Sequence, residues 1–277
     1  MKKVEAGLCV MVLILSAGCV TLPDIAYRQA NIKLGNSDQI TSIDEAKEDL
    51  NILVDTKAFP YFKIENLEAG EFGLVIKGFP VENVNSFGFR GKDISFGHST
   101  VSKDQRQISI LFKDIQKIQI FKQDEYRLNE NQADKNVEHI FSSYVCAIDG
   151  GGPDDSYTIE GSSEQGIRRV ASALAFLSKK DVVMPLEYPK IGCKIDRESG
   201  AVVSALFGGP LDLSGIPLFS RIASVDGKDL SPNNSVQVLT DLEPGKHDFE
   251  FKSPTSLFGS VHKDVFIYAS PPEMPSN

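Results

Sequence analysis

The chain lacks most of the features by which enzymes and membrane-spanning proteins are recognised. It has no apolar run of the roughly 20 residues that a transmembrane helix needs; the apolar stretch near its start, Ala6 to Leu15, is about half that long. None of its four histidines pairs with another at H-x-x-x-H spacing, and it contains no Cys-x-x-Cys and no G-x-S-x-G motif. We therefore predict a non-enzymatic protein with no catalytic residues, no metal and no cofactor.

The chain also lacks an excess of positive charge. Its formal net charge is −9 and its isoelectric point is near 5.0. Nucleic-acid binding requires a basic face, and docking to anionic lipid requires basic clusters. The charge therefore argues against a nucleic-acid partner and against electrostatic attachment to a membrane.

The amino terminus has the pattern of a cleaved signal. Lys2 and Lys3 precede the short apolar stretch, which is followed by Leu15-Ser16-Ala17-Gly18-Cys19. A basic segment, an apolar segment and small residues at the cut are typical of a secretory signal peptide. With the cysteine in this position, the segment resembles the lipobox of bacterial lipoproteins, although Ser16 stands where leucine is commonest.

The lipobox resemblance implies cleavage after Gly18, a diacylglycerol thioether on Cys19 and acylation of the new amino group. Several acyl chains anchor a protein firmly, whereas one chain is marginal. Val20 stands where an aspartate would retain a lipoprotein in the inner membrane. The expected location is therefore the outer membrane of a Gram-negative envelope, on its periplasmic face. The alternative is an ordinary secretory signal in which Cys19 is incidental.

Two of the four cysteines remain to be explained, since Cys9 leaves with the signal and Cys19 is lipidated. Cys146 and Cys193 both lie in apolar, strand-like runs and would be in an oxidising compartment. They form either a disulfide or two buried thiols that behave as small apolar residues. We favour the buried thiols, because the sequence does not place the two residues within bridging distance.

The periodicity predicts an α+β protein with two domains. After the signal (residues 1–18) and a lipidated tether (19–40), residues 41–180 begin with a helix at Ser42 and continue as strands. They close with an amphipathic helix capped by Ser162. The strands closed by this helix, over roughly residues 60–180, resemble PH-like and GRAM-like domains; a generic α+β domain is the alternative. Residues 181–189 are predicted to be a linker.

Residues 190–270 resemble a PDZ domain of the bacterial envelope-protease type, a partly open β-barrel with one or two short helices. The resemblance rests on four segments, which are Ile191 to Ile195, Gly200 to Leu206, Gly209 to Ile216 and Arg221 to Lys228. Residues 271–277 are a Pro-rich tail that we expect to be disordered.

The PDZ resemblance implies a peptide-binding groove. Backbone N–H groups of Ile191, Gly192 and Cys193 would hold the terminal carboxylate of a peptide, which would add to the sheet as a strand. Ile195, Val236 and Leu239 would line the groove and select side chains. The expected partners are the membrane, through the lipid, and a protein or peptide of the envelope.

Two features depart from the PDZ pattern or leave it open. Phe219-Ser220 stands where this PDZ type usually has Gly-Asp. Residues 234–242 fit a helix with Val236 and Leu239 on one side, but they also alternate as a strand would. A strand there would indicate a PEGA-type β-sandwich, which is a structural module without a groove. An unrecognised hydrolase is the last alternative.

Replacement of Cys19 by alanine tests the predicted address. We expect the wild-type protein to take up labelled palmitate and to fractionate with membranes, and Cys19→Ala to do neither, because the thioether has no acceptor sulfur. If the variant stays membrane-bound and the wild type takes up no label, lipidation at Cys19 is wrong.

Overall fold

The computed structural model describes residues 25–55, 62–82, 89–90, 93–94, 100–101, 103–129, 136–150, 156–179, 185–186, 188–196, 198–231, 234–254 and 259–269. The predicted signal, Cys19 and the 271–277 tail lie outside these residues. Four α-helices are described: α1 (Ile43–Asp55), α2 (Glu164–Ser178), α3 (Pro210–Leu213) and α4 (Ser235–Thr240). Short 3-10 helices occupy Asn36–Asp38 and Phe112–Asp114.

Sixteen described strands accompany these helices, and the predicted α+β class is confirmed. In the first half of the chain they are β1 (Ile25–Asn31), β2 (Phe62–Ala69), β3 (Gly73–Glu82), β4 (Phe89–Arg90), β5 (Asp93–Ile94), β6 (Thr100–Val101), β7 (Arg106–Leu111) and β8 (Ile115–Asn129). In the second half they are β9 (Asn136–Gly150), β10 (Ser156–Gly161), β11 (Cys193–Ile195), β12 (Val202–Leu206), β13 (Arg221–Val225), β14 (Lys228–Asp229), β15 (Gly245–Lys252) and β16 (Val261–Ile267).

The chain divides into two compact units. The amino-terminal unit contains Gln29–Asp124 and Phe141–Glu187, and the carboxy-terminal unit contains Glu125–Ile140, the chain from Tyr188 onward and the described residues up to Arg28. The boundary at 187/188 falls within the linker predicted at 181–189. The units are not contiguous in sequence, however. Two segments that precede Tyr188 in the sequence belong to the carboxy-terminal unit, and the prediction of two successive domains misses this.

The amino-terminal unit combines antiparallel strands with two packed helices. β2 and β7 pair with β3, and β10 pairs with β9 from Ser156↔Asp149 to Gly161↔Tyr144. The core is made of aliphatic side chains from strands and helices, among them Leu50, Ile118 and Leu174. Apolar residues three and four apart on α2 provide one buried face, as the sequence predicts.

The helix starts follow the predicted capping chemistry with one correction. Ser42 Oγ accepts the backbone N–H of Glu45 at 3.1 Å, as expected for an N-cap. The cap of α2 is Ser163, whose hydroxyl accepts from Gly166, and not Ser162. The two serines are adjacent and only the backbone geometry selects between them, so the prediction was wrong by one residue.

An ion pair between a buried aspartate and a partly exposed arginine joins the two helices. Asp49 on α1 is 3% exposed, and its Oδ1 lies 2.6 Å from Nε of Arg169 on α2. Hydrogen bonding to Asp49 raises the pKa of Arg169 further above its usual range. This contact fixes the two helices against each other, because a buried carboxylate without a cation is costly.

The carboxy-terminal unit contains a four-stranded antiparallel sheet, ordered β14-β13-β15-β16, and the β11–β12 pair. Its core includes Phe249, Phe251 and Val265 from the sheet and Leu211 from α3. Asp226 and Gly227 form the tight turn between β13 and β14, with φ values of 52° and 73°. Positive φ at both central residues is typical of a type I′ hairpin turn.

Strand β1 corrects the predicted tether. Residues 25–31 are not a tether, because they form a strand that neighbours β12. Ala26 is completely buried beside Phe219 and Leu128. Arg28 Nη2 lies 2.9 Å from a carboxylate oxygen of Asp212, and its guanidinium lies 4.6 Å from the centre of the Phe207 ring. The start of β1 is thus fixed to this unit by burial and by an ion pair.

His247 links the β13–β14 turn to β15. Its Nδ1 lies 2.7 Å from Asp226 Oδ2, and its Nε2 lies 2.7 Å from the Glu243 carbonyl oxygen. Burial alone would lower the pKa of His247, but these two acceptors raise it above its usual range. The same hydrogen bond lowers the pKa of Asp226. The geometry therefore suits the doubly protonated imidazolium.

We expect the His247 contact to stabilise the unit at acidic pH. A pKa raised on folding gives stability that is complete below the ordinary histidine value of 6.5 and is lost as pH rises through the raised value. His247→Asn should remove this dependence, with a loss below about 1 kcal/mol because the pair is screened. Urea unfolding at about pH 5.5 and about pH 8 measures it.

His262→Asn is the matched control. His262 also contacts an aspartate, Asp248 at 2.9 Å, but its side chain is 61% exposed. The His262→Asn variant should change the pH dependence of the unfolding free energy less than His247→Asn does, because an exposed pair is more strongly screened. Equal pH dependence in wild type and His247→Asn would contradict the assignment.

Candidate peptide-binding edge

Strand β11 is an edge strand in the described chain, and its hydrogen-bond pattern shows which groups face outward. The Gly192 carbonyl accepts from Leu206 at 2.8 Å, and the Asp196 N–H donates to Ala201 at 2.8 Å, so both residues turn their bonded groups toward the β12 side. Backbone groups alternate in direction along a strand. The N–H and C=O of Cys193 and Ile195 therefore point away from β12, toward the open edge.

The side chains of β11 alternate in the same way. Cys193 is buried in the core, and Ile195 packs against that core while half-buried. Lys194, between them, is exposed and its ammonium lies 5.0 Å from the centre of the Tyr188 ring. The apolar side chains of the strand thus face inward, and the lysine is on the opposite face.

Gly192 has a structural role in place of the predicted carboxylate contact. Its N–H donates to the Pro189 carbonyl at 2.7 Å, and its own carbonyl is held by Leu206. Its φ is +70°, and a Cβ there would lie 3.0 Å from Gly209 Cα and 3.0 Å from Pro210 Cδ. Glycine is required here by the close approach of two backbone segments. The structure corrects the expectation of a free donor here, because the Gly192 N–H is already bound to Pro189.

The loop before β11 is buried and hydrogen-bonded within the unit. Ile191 is 1% exposed and its carbonyl accepts from Leu211, while Lys190 Nζ donates to the Leu242 carbonyl oxygen at 3.3 Å. Cys193 is also 1% exposed, and burial raises the pKa of its thiol. The outward groups of Cys193 therefore lie beneath the surface. Those of half-buried Ile195 are the more accessible.

Residues 235–240 form a helix, α4, so the strand alternative at this position is excluded. Leu239 is 2% exposed and belongs to the same core cluster as Ile191 and Cys193. Val236, one turn earlier, is 46% exposed. Of these two side chains, Val236 faces solvent and Leu239 helps to form the core.

Sequence reasoning missed the contact of Lys190 with the Leu242 carbonyl and the hydrogen bonds that the Gly192 N–H and C=O form within the unit. Neither has a signal in the sequence, because each depends on a contact with a residue that folding brings near. It did identify the thiols: Cys146 and Cys193 are both free and buried, as favoured, and burial raises the pKa of Cys146 to about 12.

Among the described residues, no cluster of three or more His, Cys, Asp or Glu side chains is arranged to hold a metal ion. Within the same residues, no helix is both long and apolar enough to cross a membrane. No family model matches the chain, and no curated protein matches it.

Gly192→Ala tests the structural role of this glycine. We expect a loss of about 2–4 kcal/mol, because the variant adds backbone strain and a steric clash with Gly209 and Pro210. Gly215→Ala is the matched control: Gly215 has φ +69°, and a Cβ added there would meet no other atom within 4 Å. It should lose only about 1 kcal/mol, from strain alone.

Circular dichroism during urea unfolding measures both variants, since the chain has no tryptophan to serve as a fluorescent probe. Equal losses in the two variants would show that the close packing at Gly192 contributes nothing.

Proposed function

We propose that the protein is a lipid-anchored, non-enzymatic adaptor on the periplasmic face of the outer membrane, and that it binds a peptide of an envelope protein by strand addition to β11. The observation that carries the proposal is the edge position of β11 in the described chain, with the backbone groups of half-buried Ile195 directed away from β12. Strand addition uses such groups for affinity and neighbouring side chains for selectivity.

The order of elements supports a PDZ-like carboxy-terminal unit. A loop, the edge strand β11, a second strand, the short helix α3 and the β13–β14 turn follow in the order that the resemblance implies. The helix α4 then stands where the PEGA-like alternative requires a strand. In the amino-terminal unit, strands followed by α2 are compatible with a PH-like scaffold.

The anchor and the binding unit are close in sequence. Cys19 precedes Ile25, the first residue of β1, by six residues. Six extended residues span about 20 Å at most. Because β1 begins in the carboxy-terminal unit, a lipid on Cys19 would keep the start of this unit within about that distance of the membrane surface.

Val236→Lys tests the binding site without disturbing the core. Peptides selected from a random library on the full chain in detergent should bind the variant about tenfold more weakly, because a charge replaces an apolar contact worth about 1.4 kcal/mol. Fluorescence polarisation with the labelled peptides measures the change.

Val261→Lys is the matched control. Val261 is on β16 and is 45% exposed, against 46% for Val236. It should bind as wild type does. Equal affinities for all three proteins would exclude the groove beside α4, and the absence of any selected peptide would overturn the adaptor proposal.

A further inference from the structure

The two ends of the edge strand β11 differ in how many backbone hydrogen-bonding groups they leave available to a ligand. At the Ile195 end, the backbone N–H and C=O face outward from a half-buried residue. At the Gly192 end, the backbone groups are bound within the unit and Ile191 is 1% exposed. A ligand therefore meets free pairing groups at one end and a closed loop at the other.

Capture of a terminal carboxylate requires free donors at the closed end. A carboxylate is held by successive backbone N–H groups or by a cation. The Gly192 N–H is already bound to Pro189 at 2.7 Å, which interrupts any such succession. The Lys190 ammonium donates to the Leu242 carbonyl at 3.3 Å. The single Gly192 N–H would have to leave Pro189 before it could bind an anion. The Lys190 ammonium keeps two further donors, and the Lys190→Met variant tests whether they bind a carboxylate.

We propose that the β11 edge binds an internal, extended segment of a partner chain and does not recognise a chain terminus. The inference rests on the proposed adaptor function and specifies its ligand. The segment pairs its backbone with the N–H and C=O of Ile195 and places an apolar side chain against Val236. The residue opposite Ile195 is not proline, since it must donate a hydrogen bond.

A second copy of this chain fits the edge poorly. β11 has three residues, Cys193–Ile195, so the edge is about 10 Å long. A stable dimer buries about 1,200–2,000 Å² in total, which a pairing of two such short edges does not provide. A flexible segment of another protein does not need a large interface, because modest affinity is enough for an adaptor on a membrane.

The experiment compares three forms of one peptide. The peptide is selected for binding to the full-length protein in detergent, from two libraries of random heptapeptides. In one library the heptapeptide ends in a free carboxylate, and in the other it is flanked on both sides by Gly-Ser linkers. The selected peptide is then synthesised as the free acid, as the amide and with both flanks. Affinities are measured by fluorescence polarisation for the wild type and for Lys190→Met.

We expect the three forms to bind within twofold of one another and Lys190→Met to bind like the wild type. A loss of tenfold or more on amidation or flanking would overturn the inference while leaving the adaptor function intact. A loss of affinity in Lys190→Met that is confined to the free-acid peptide would also overturn the inference. Enrichment from neither library would overturn the proposed function itself. A concentration-dependent dimer in sedimentation, dissociated by Val236→Lys, would overturn the inference by placing a second copy on the edge.

Discussion

The pairing of β11 with β12 is the constraint on which the candidate site depends. Backbone groups of Gly192 and Asp196 form hydrogen bonds on the β12 side. Because backbone groups alternate in direction along a strand, the N–H and C=O of Cys193 and Ile195 point to the other side, away from β12. The same alternation puts Lys194 on the solvent face and the two apolar side chains toward the core. β12 has an extra residue between the partners of Lys194 and Ile195, and this bulge lies outside β11, which remains regular.

The loops around this pair are held by close packing. Gly192 approaches Gly209 and Pro210 so closely that a side chain would clash, and its positive φ directs its N–H into the turn. Phe219 is a less usual case, because it has φ +64° although it is not glycine. Its ring is completely buried beside Ala26 and Leu128, and we infer that this burial offsets the backbone strain. The departure from the Gly-Asp pattern at this position is thus accommodated by the start of strand β1.

Local signals in the sequence were interpreted correctly where the deciding atoms are near one another along the chain. The cap at Ser42 and the apolar face of α2 were of this kind. The choice between Ser162 and Ser163 failed because adjacent hydroxyls differ only in backbone geometry. The predicted tether failed at Ile25 because the partners of this strand, β12 and Asp212, are far from it in the sequence.

The sequence by itself determined the α+β class and the two buried thiols. Periodicity, capping and turn chemistry act over a few residues, and the sequence records them directly. Only the tertiary structure decided that 234–242 contains a helix, that segments 125–140 and 25–28 belong with the carboxy-terminal unit, and that the Gly192 N–H is already bound. Each of these depends on a partner that is distant in the sequence or on packing that stabilises one of two locally acceptable conformations.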